Sequence, residues 1–201
     1  EGQVRHPRKT IGSFQSVGPA ILIAMIAILI VTFRSVTQAF VLLFVVPFSV
    51  IGVFLGHFVH NLPFSILSGL GVVALIGILL NNGLVFVNTL NDKLREGMGF
   101  DEALYKTGHD RFRPIVLTTI TTIAGLAPLI TETSLQAQFL IPMAVTVAYG
   151  LLIGAFLMLC FLPVVMMGVN QLKVYLLWLW EGQKPEKEAV EHAVLEEKKK
   201  H

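Results

Sequence analysis

Residues 35–91 contain no Asp, Glu, Lys or Arg, an uncharged run of 57 positions. A soluble helix or sheet returns a polar face to water, and a soluble domain carries roughly 25% charged residues. Here the charged share is 14% and the hydrophobic share 54%. Residues 10–33, 114–131 and 133–172 are equally free of charge. Runs of this length belong in hydrocarbon. They exclude a soluble enzyme, a nucleic-acid module and a disordered chain, and they predict a polytopic membrane protein. A transmembrane β-barrel needs segments of alternating polarity. Residues 21–30 (ILIAMIAILI) are continuously apolar instead, so the expected class is all-α. One cysteine, Cys160, leaves no disulfide framework and no cysteine metal cluster.

About 20 apolar residues cross a bilayer as a helix. The runs divide at their polar and Pro/Gly punctuation into five expected spans: 17–33, 35–59, 64–90, 115–131 and 138–167, forming a bundle over 17–168. Residues 1–16 precede the bundle. Residues 91–113 form a charged loop, in which 100–108 (FDEALYKTG) reads as a short amphipathic helix stopped by glycine. Residues 169–180 are rich in Trp and Leu and read as an interfacial helix. Residues 181–201 form a charged tail, expected to be frayed or disordered.

Lys and Arg favour the cytoplasmic side. Twelve of the 15 fall on one side: Arg34, five in the loop 91–113, and six from Lys173 onward. Arg5, Arg8 and Lys9 fall on the other. The C-terminus is therefore expected in the cytoplasm and Glu1 outside. No signal peptide precedes that outside start, which reads most simply as a piece whose upstream part was carried across by earlier helices.

Polar groups within the spans are few. Gly77, Asn81 and Asn88 share one face of the third span, with Asn82 about 100° round. They serve either as helix–helix glue or as a polar track. Thr118 and Thr122 share a face with Gly125, and threonine hydroxyls readily bond the carbonyl four residues back. Residues 52–56 and 150–154 both fit G-x-x-x-G, a signal for close helix approach. His57 and His60 lie near the outer end of the second span and read as interfacial. No Asp or Glu lies inside a span, so a titrating acid must come from elsewhere if protons are moved. There is no phosphate-binding G-x-x-x-x-G-K-[ST] loop.

Residues 71–88 (GVVALIGILLNNGLVFVN) resemble the tenth transmembrane helix of resistance–nodulation–division (RND) efflux permeases. Residues 111–128 (RFRPIVLTTITTIAGLAP) resemble the entry and body of their eleventh, and 45–52 (VVPFSVIG) their ninth. The resemblance covers about residues 15–168 and implies helices eight to twelve of a twelve-helix domain, with 1–16 the end of a periplasmic region. It implies a proton antiporter of the bacterial inner membrane that exports drugs or other small molecules. Such a transporter is neither an enzyme nor a holder of a cofactor or metal. It works as a homotrimer beside the N-terminal half of the same permease, with a periplasmic adaptor, an outer-membrane channel and the lipid bilayer as partners, and no nucleic acid. Carried over by motif, the relay arginine falls on Arg111 and the relay threonine on Thr118. The relay lysine falls on Asn81, with Asn82 beside it. That is a departure, because an amide cannot supply the charge. Rival readings are a lipid- or protein-export auxiliary of the same superfamily and a non-transporting membrane scaffold.

Overall fold

The computed structural model describes residues 35–181 continuously, and also 23–24, 27–28, 30–32, 187, 189–191 and 193–194. The expected region 1–16 and most of the expected span 17–33 lie outside the described residues. The chain divides into two compact units, 1–39 and 40–201. In the first, residues 23–24, 27–28 and 30–32 are helical, and the Thr32 hydroxyl donates to the Ile28 carbonyl.

The remaining elements are helices: α1 (Val36–Val59), α2 (Ile66–Arg95), α3 (Phe100–Ile130), the short α4 (Leu135–Gln138) and α5 (Ile141–Glu181). No strand occurs among the described residues. Helices α1, α2, α3 and most of α5 are long and apolar enough to cross a membrane. The protein is an all-α membrane bundle.

Local chemistry sets the helix ends. Ser65 and Ser68 each accept the other's backbone N–H, a capping box that starts α2. Gly97, at φ 83, closes α2 in the left-handed region that favours glycine. Its N–H donates to Leu94, and that of Met98 to Lys93. The turn is short, so α3 returns antiparallel to α2.

Helix α5 is the hub, with α2 and α3 packed along it. Both G-x-x-x-G pairs lie at close contacts. Gly52 and Gly56 rest on Tyr149, while Gly150 and Gly154 receive Leu75 and Leu79 of α2. Gly83 makes room for Leu42 and Met158. The buried side of α2 is a stripe with helical spacing: Gly71, Leu75, Leu79, Gly83, Phe86, Leu90, Leu94.

Four features differ from the sequence expectation. The amphipathic helix does not stop at Gly108. It continues through Pro114 into the span as one 31-residue helix. Its buried positions Phe100, Ala103, Leu104, Thr107, Ile115 and Thr119 form one stripe that crosses both residues. A glycine costs only about 1 kcal/mol in a helix, less than that packing returns. Pro114 is exposed, and it frees a carbonyl only one turn toward the charged end. Likewise 169–180 is not a separate interfacial helix. Met158, Leu162, Met166, Asn170 and Val174 extend one buried stripe along α5, so the helix runs unbroken to Glu181.

The third difference is the tail. Its described residues fold back on α5 rather than fraying. Glu191 is only 4% exposed. It accepts from the Asn170 amide at 2.9 Å and pairs with Lys173 at 3.3 Å. Asn170 also donates to the Lys187 carbonyl, and Lys187 pairs with Asp101 at the start of α3. A buried carboxylate is tolerable only with such partners.

His57 is buried rather than interfacial. Its Nδ1 lies 3.0 Å from the Val53 carbonyl, which only accepts, so Nδ1 carries the hydrogen. Nε2 lies 2.8 Å from Ser68 Oγ, tying α1 to the capping box of α2. His60 stays exposed and reaches the Tyr149 hydroxyl at 3.2 Å.

Two buried side-chain oxygens stand apart among the described residues, the Thr119 hydroxyl and Asn170 Oδ1. The Thr119 hydroxyl is buried and has no hydrogen-bond partner among the described residues. Thr119→Val keeps the shape and removes an unsatisfied polar atom. It should raise stability by up to about 1 kcal/mol in a thermal unfolding series. A clear loss of melting temperature would mean that the hydroxyl is bonded after all.

Candidate functional site

Arg111 is the best-defined polar residue of the bundle. It sits near the charged end of α3, half-buried against α2. Its Nε and Nη2 both donate to the Thr89 hydroxyl, at 2.8 and 2.6 Å. Thr89 in turn donates to the Val85 carbonyl at 2.9 Å, which fixes its rotamer. A guanidinium carries five N–H donors in a rigid fork. Two are spent on Thr89, so three remain to meet an anion. Thr89 is the residue the motif carry-over omits. No sequence signal singled it out: the short antiparallel turn brings the end of α2 beside the start of α3.

The four residues carried over by motif do not form one cluster. The Arg111–Thr89 contact sets the register between α2 and α3. Thr118 lies seven residues beyond Arg111, and Asn82 seven before Thr89. At 1.5 Å per residue both are about 10 Å deeper, at one level. Thr118 donates to the Pro114 and Ile115 carbonyls at 3.0 Å, the expected local back-bond. Thr121 and Thr122 do the same with Leu117 and Thr118. The Asn81, Asn82 and Asn88 amides make no hydrogen bond with described residues, so they join none of the described helices.

Burial explains why. Asn81 is exposed, on the α2 face that carries Val73, Ala74 and Gly77. An alanine Cβ at Gly77 would meet nothing within 4 Å. In α3, Thr118 and Thr121 are exposed, as are Leu117 and Ile120. These faces are apolar enough for a membrane yet have no cover among the described residues.

The charged end is fastened separately. Lys93 of α2 pairs with Asp110 of α3 at 2.7 Å and holds its carboxyl below the usual carboxylate range. Lys106 does the same for Glu102 one turn away. Both acids therefore stay ionised near neutral pH. Among the described residues no group of three or more His, Cys, Asp or Glu is placed to hold a metal ion.

Comparison with known proteins fits this picture. The model of the AcrB/AcrD/AcrF family matches residues 1–170. The chain belongs to that family. Among the relatives of this AcrB-family chain is the swarming motility protein SwrC of Bacillus subtilis, 35% identical over 157 residues, which are 76% of this chain and 15% of SwrC. The multidrug resistance protein MdtC of Erwinia tasmaniensis is 30% identical over 150 residues, covering 74% of this chain and 15% of MdtC. The cobalt-zinc-cadmium resistance protein CzcA of Cupriavidus metallidurans is 29% identical over 150 residues, covering 75% and 14%. A crystal structure of a heavy metal efflux pump shares the fold, with a TM-score of 0.75 over 84% of this chain and 16% of that one, at 22% identity. The AcrB-family chain thus spans about 15% of the length of these curated relatives. It is a membrane portion of an RND-type efflux permease, a transporter family and not an enzyme family.

Proposed function

We propose that this chain is the C-terminal membrane portion of a proton-coupled RND permease that exports drugs or other small molecules across the bacterial inner membrane. The observation that carries the reading is Arg111, held by Thr89 with three donors unspent. It is joined by Asn81 and Thr118, which the described residues leave exposed, and by the half-buried Asn82. Acids on helices of the N-terminal half would meet these groups. The C-terminus would lie in the cytoplasm, as the Lys and Arg count favours. The whole permease would work as a trimer with a periplasmic adaptor and an outer-membrane channel. Asn81 would orient a proton-carrying acid by hydrogen bonding, without the charge of a lysine.

The test uses the full-length permease in cells stripped of their own efflux pumps. Export of a cationic dye should fall when a protonophore collapses the proton gradient. A parallel arm measures growth in cobalt, zinc and cadmium, the ions in the name of CzcA. Asn81→Leu should lower export about fivefold, the worth of one hydrogen bond of about 1 kcal/mol. Asn61→Gly should leave it unchanged, because Asn61 occupies a left-handed turn position that glycine also suits. Export indifferent to the protonophore would end the proton-coupled reading. Absence of any energy-dependent export would favour the scaffold.

A further inference from the structure

A groove of about 710 Å³ lies between the first half of α3 and the middle of α5. One edge is a column of hydrogen-bond donors: Tyr105, His109 and Arg113, spaced four residues apart along α3 and so on one face. The facing wall, from α5, is apolar and includes Leu159, Val164 and Met167. Val164 is 64% exposed, so this wall stands open. Neither Arg113 nor Tyr105 has a hydrogen-bond or ion-pair partner among the described residues. The acids nearby are paired: Asp101 on the rim with Lys187, and Asp110 with Lys93 and, at 3.6 Å, with His109 of the column itself.

We infer that this groove binds one anionic phospholipid of the leaflet at the charged end of the bundle. An ion-paired arginine would offer an anion little, whereas a free guanidinium at the mouth of an apolar trough offers a strong bidentate contact to phosphate. The donors on α3 take the headgroup, with phosphate at Arg113 and the headgroup hydroxyls on the Tyr105 side. An acyl chain lies along α5. Basic pockets between transmembrane helices bind anionic headgroups in this way. A zwitterionic lipid would bring its ammonium group to the same guanidinium and bind less well. Naming this leaflet cytoplasmic rests on the orientation proposed above. The binding itself does not depend on transport.

The full-length permease in detergent is titrated with phosphatidylglycerol and with phosphatidylcholine, and bound lipid is counted by native mass spectrometry. Wild type should hold one phosphatidylglycerol more tightly than any phosphatidylcholine. Arg113→Gln should weaken that site on the order of five- to tenfold. Val164→Trp leaves every charge in place but fills the trough, and it should weaken the site comparably. Arg95→Gln, an exposed arginine outside the groove, should change nothing. Equal retention of the two lipids by wild type would overturn the headgroup assignment. Loss with Arg113→Gln but not with Val164→Trp would overturn the groove, leaving only a surface charge. No change in either variant would mean that another part of the permease covers the groove, and would sink the proposal. Because lipid is counted directly, failure here is distinct from failure of proton coupling.

Discussion

Arg111→Ala in the full-length permease should reduce export on the order of 100-fold, while the protein still folds and reaches the membrane. A hydrogen bond to a charged group contributes roughly 1.5–3 kcal/mol, and the upper end of that range is two decades in rate. Folding should survive because Arg111 is only half-buried and spends two of its donors on Thr89. Removing it leaves a threonine hydroxyl that already donates to Val85 and needs no second partner. What disappears is the cation that would answer an acid of the other half. Three companion variants separate charge from position. Arg111→Lys keeps the charge but loses the fork and should recover export only in part. Thr89→Val keeps the arginine but frees it to wander, and should lower export less than Arg111→Ala. Thr89→Ser keeps the hydroxyl and should behave as wild type. Dye efflux in cells, normalised to permease in the membrane, reads all of them. Wild-type export from Arg111→Ala would remove this residue from the relay.

The helices were legible because hydrocarbon enforces a simple rule. A charge within 35–91 would cost kilocalories, so its absence marks the spans directly. The glycine pairs were legible as contact points, since only a missing side chain lets helices approach so closely. Their partners were not. Nothing in residues 52–56 names Tyr149, and nothing in 150–154 names Leu75, because a helix face reads the same whichever neighbour it meets. The continuity of α3 was hidden for a related reason. Gly108 and Pro114 are local breakers, and the stripe that overrides them pays off only once α5 is in place. His57 and Glu191 were misjudged by position near a span end or in a charged tail, whereas Ser68, Asn170 and Lys173 decide their burial. In the candidate site the family motif supplied Arg111 and Thr118. Thr89 became visible only through the register of two antiparallel helices.

Gly52→Ala should be the most damaging single-methyl change in the bundle, costing about 3 kcal/mol, at the upper end of the usual overpacking range. The obstacle decides this. A Cβ at Gly52 would lie 2.4 Å from the Tyr149 carbonyl oxygen and 2.9 Å from the Ile153 side chain. The oxygen belongs to the backbone of α5 and cannot rotate away, so α1 and α5 must separate along their contact. Gly150 makes the comparison. There the nearest atom, 2.3 Å away, is a terminal methyl of Leu75, and a change of rotamer relieves it. Gly150→Ala should therefore cost less, about 1–2 kcal/mol. Gly168 meets nothing within 4 Å, and Gly168→Ala should raise stability by about 0.5–1 kcal/mol through helix propensity alone. Thermal unfolding of the purified full-length variants in one detergent gives the order. Gly52→Ala as stable as Gly168→Ala would mean that α1 and α5 do not meet backbone to backbone. If the predicted order holds instead, the close approach of α1 and α5 holds up the wall of the bundle on which Ser68 and His57 join α1 to α2.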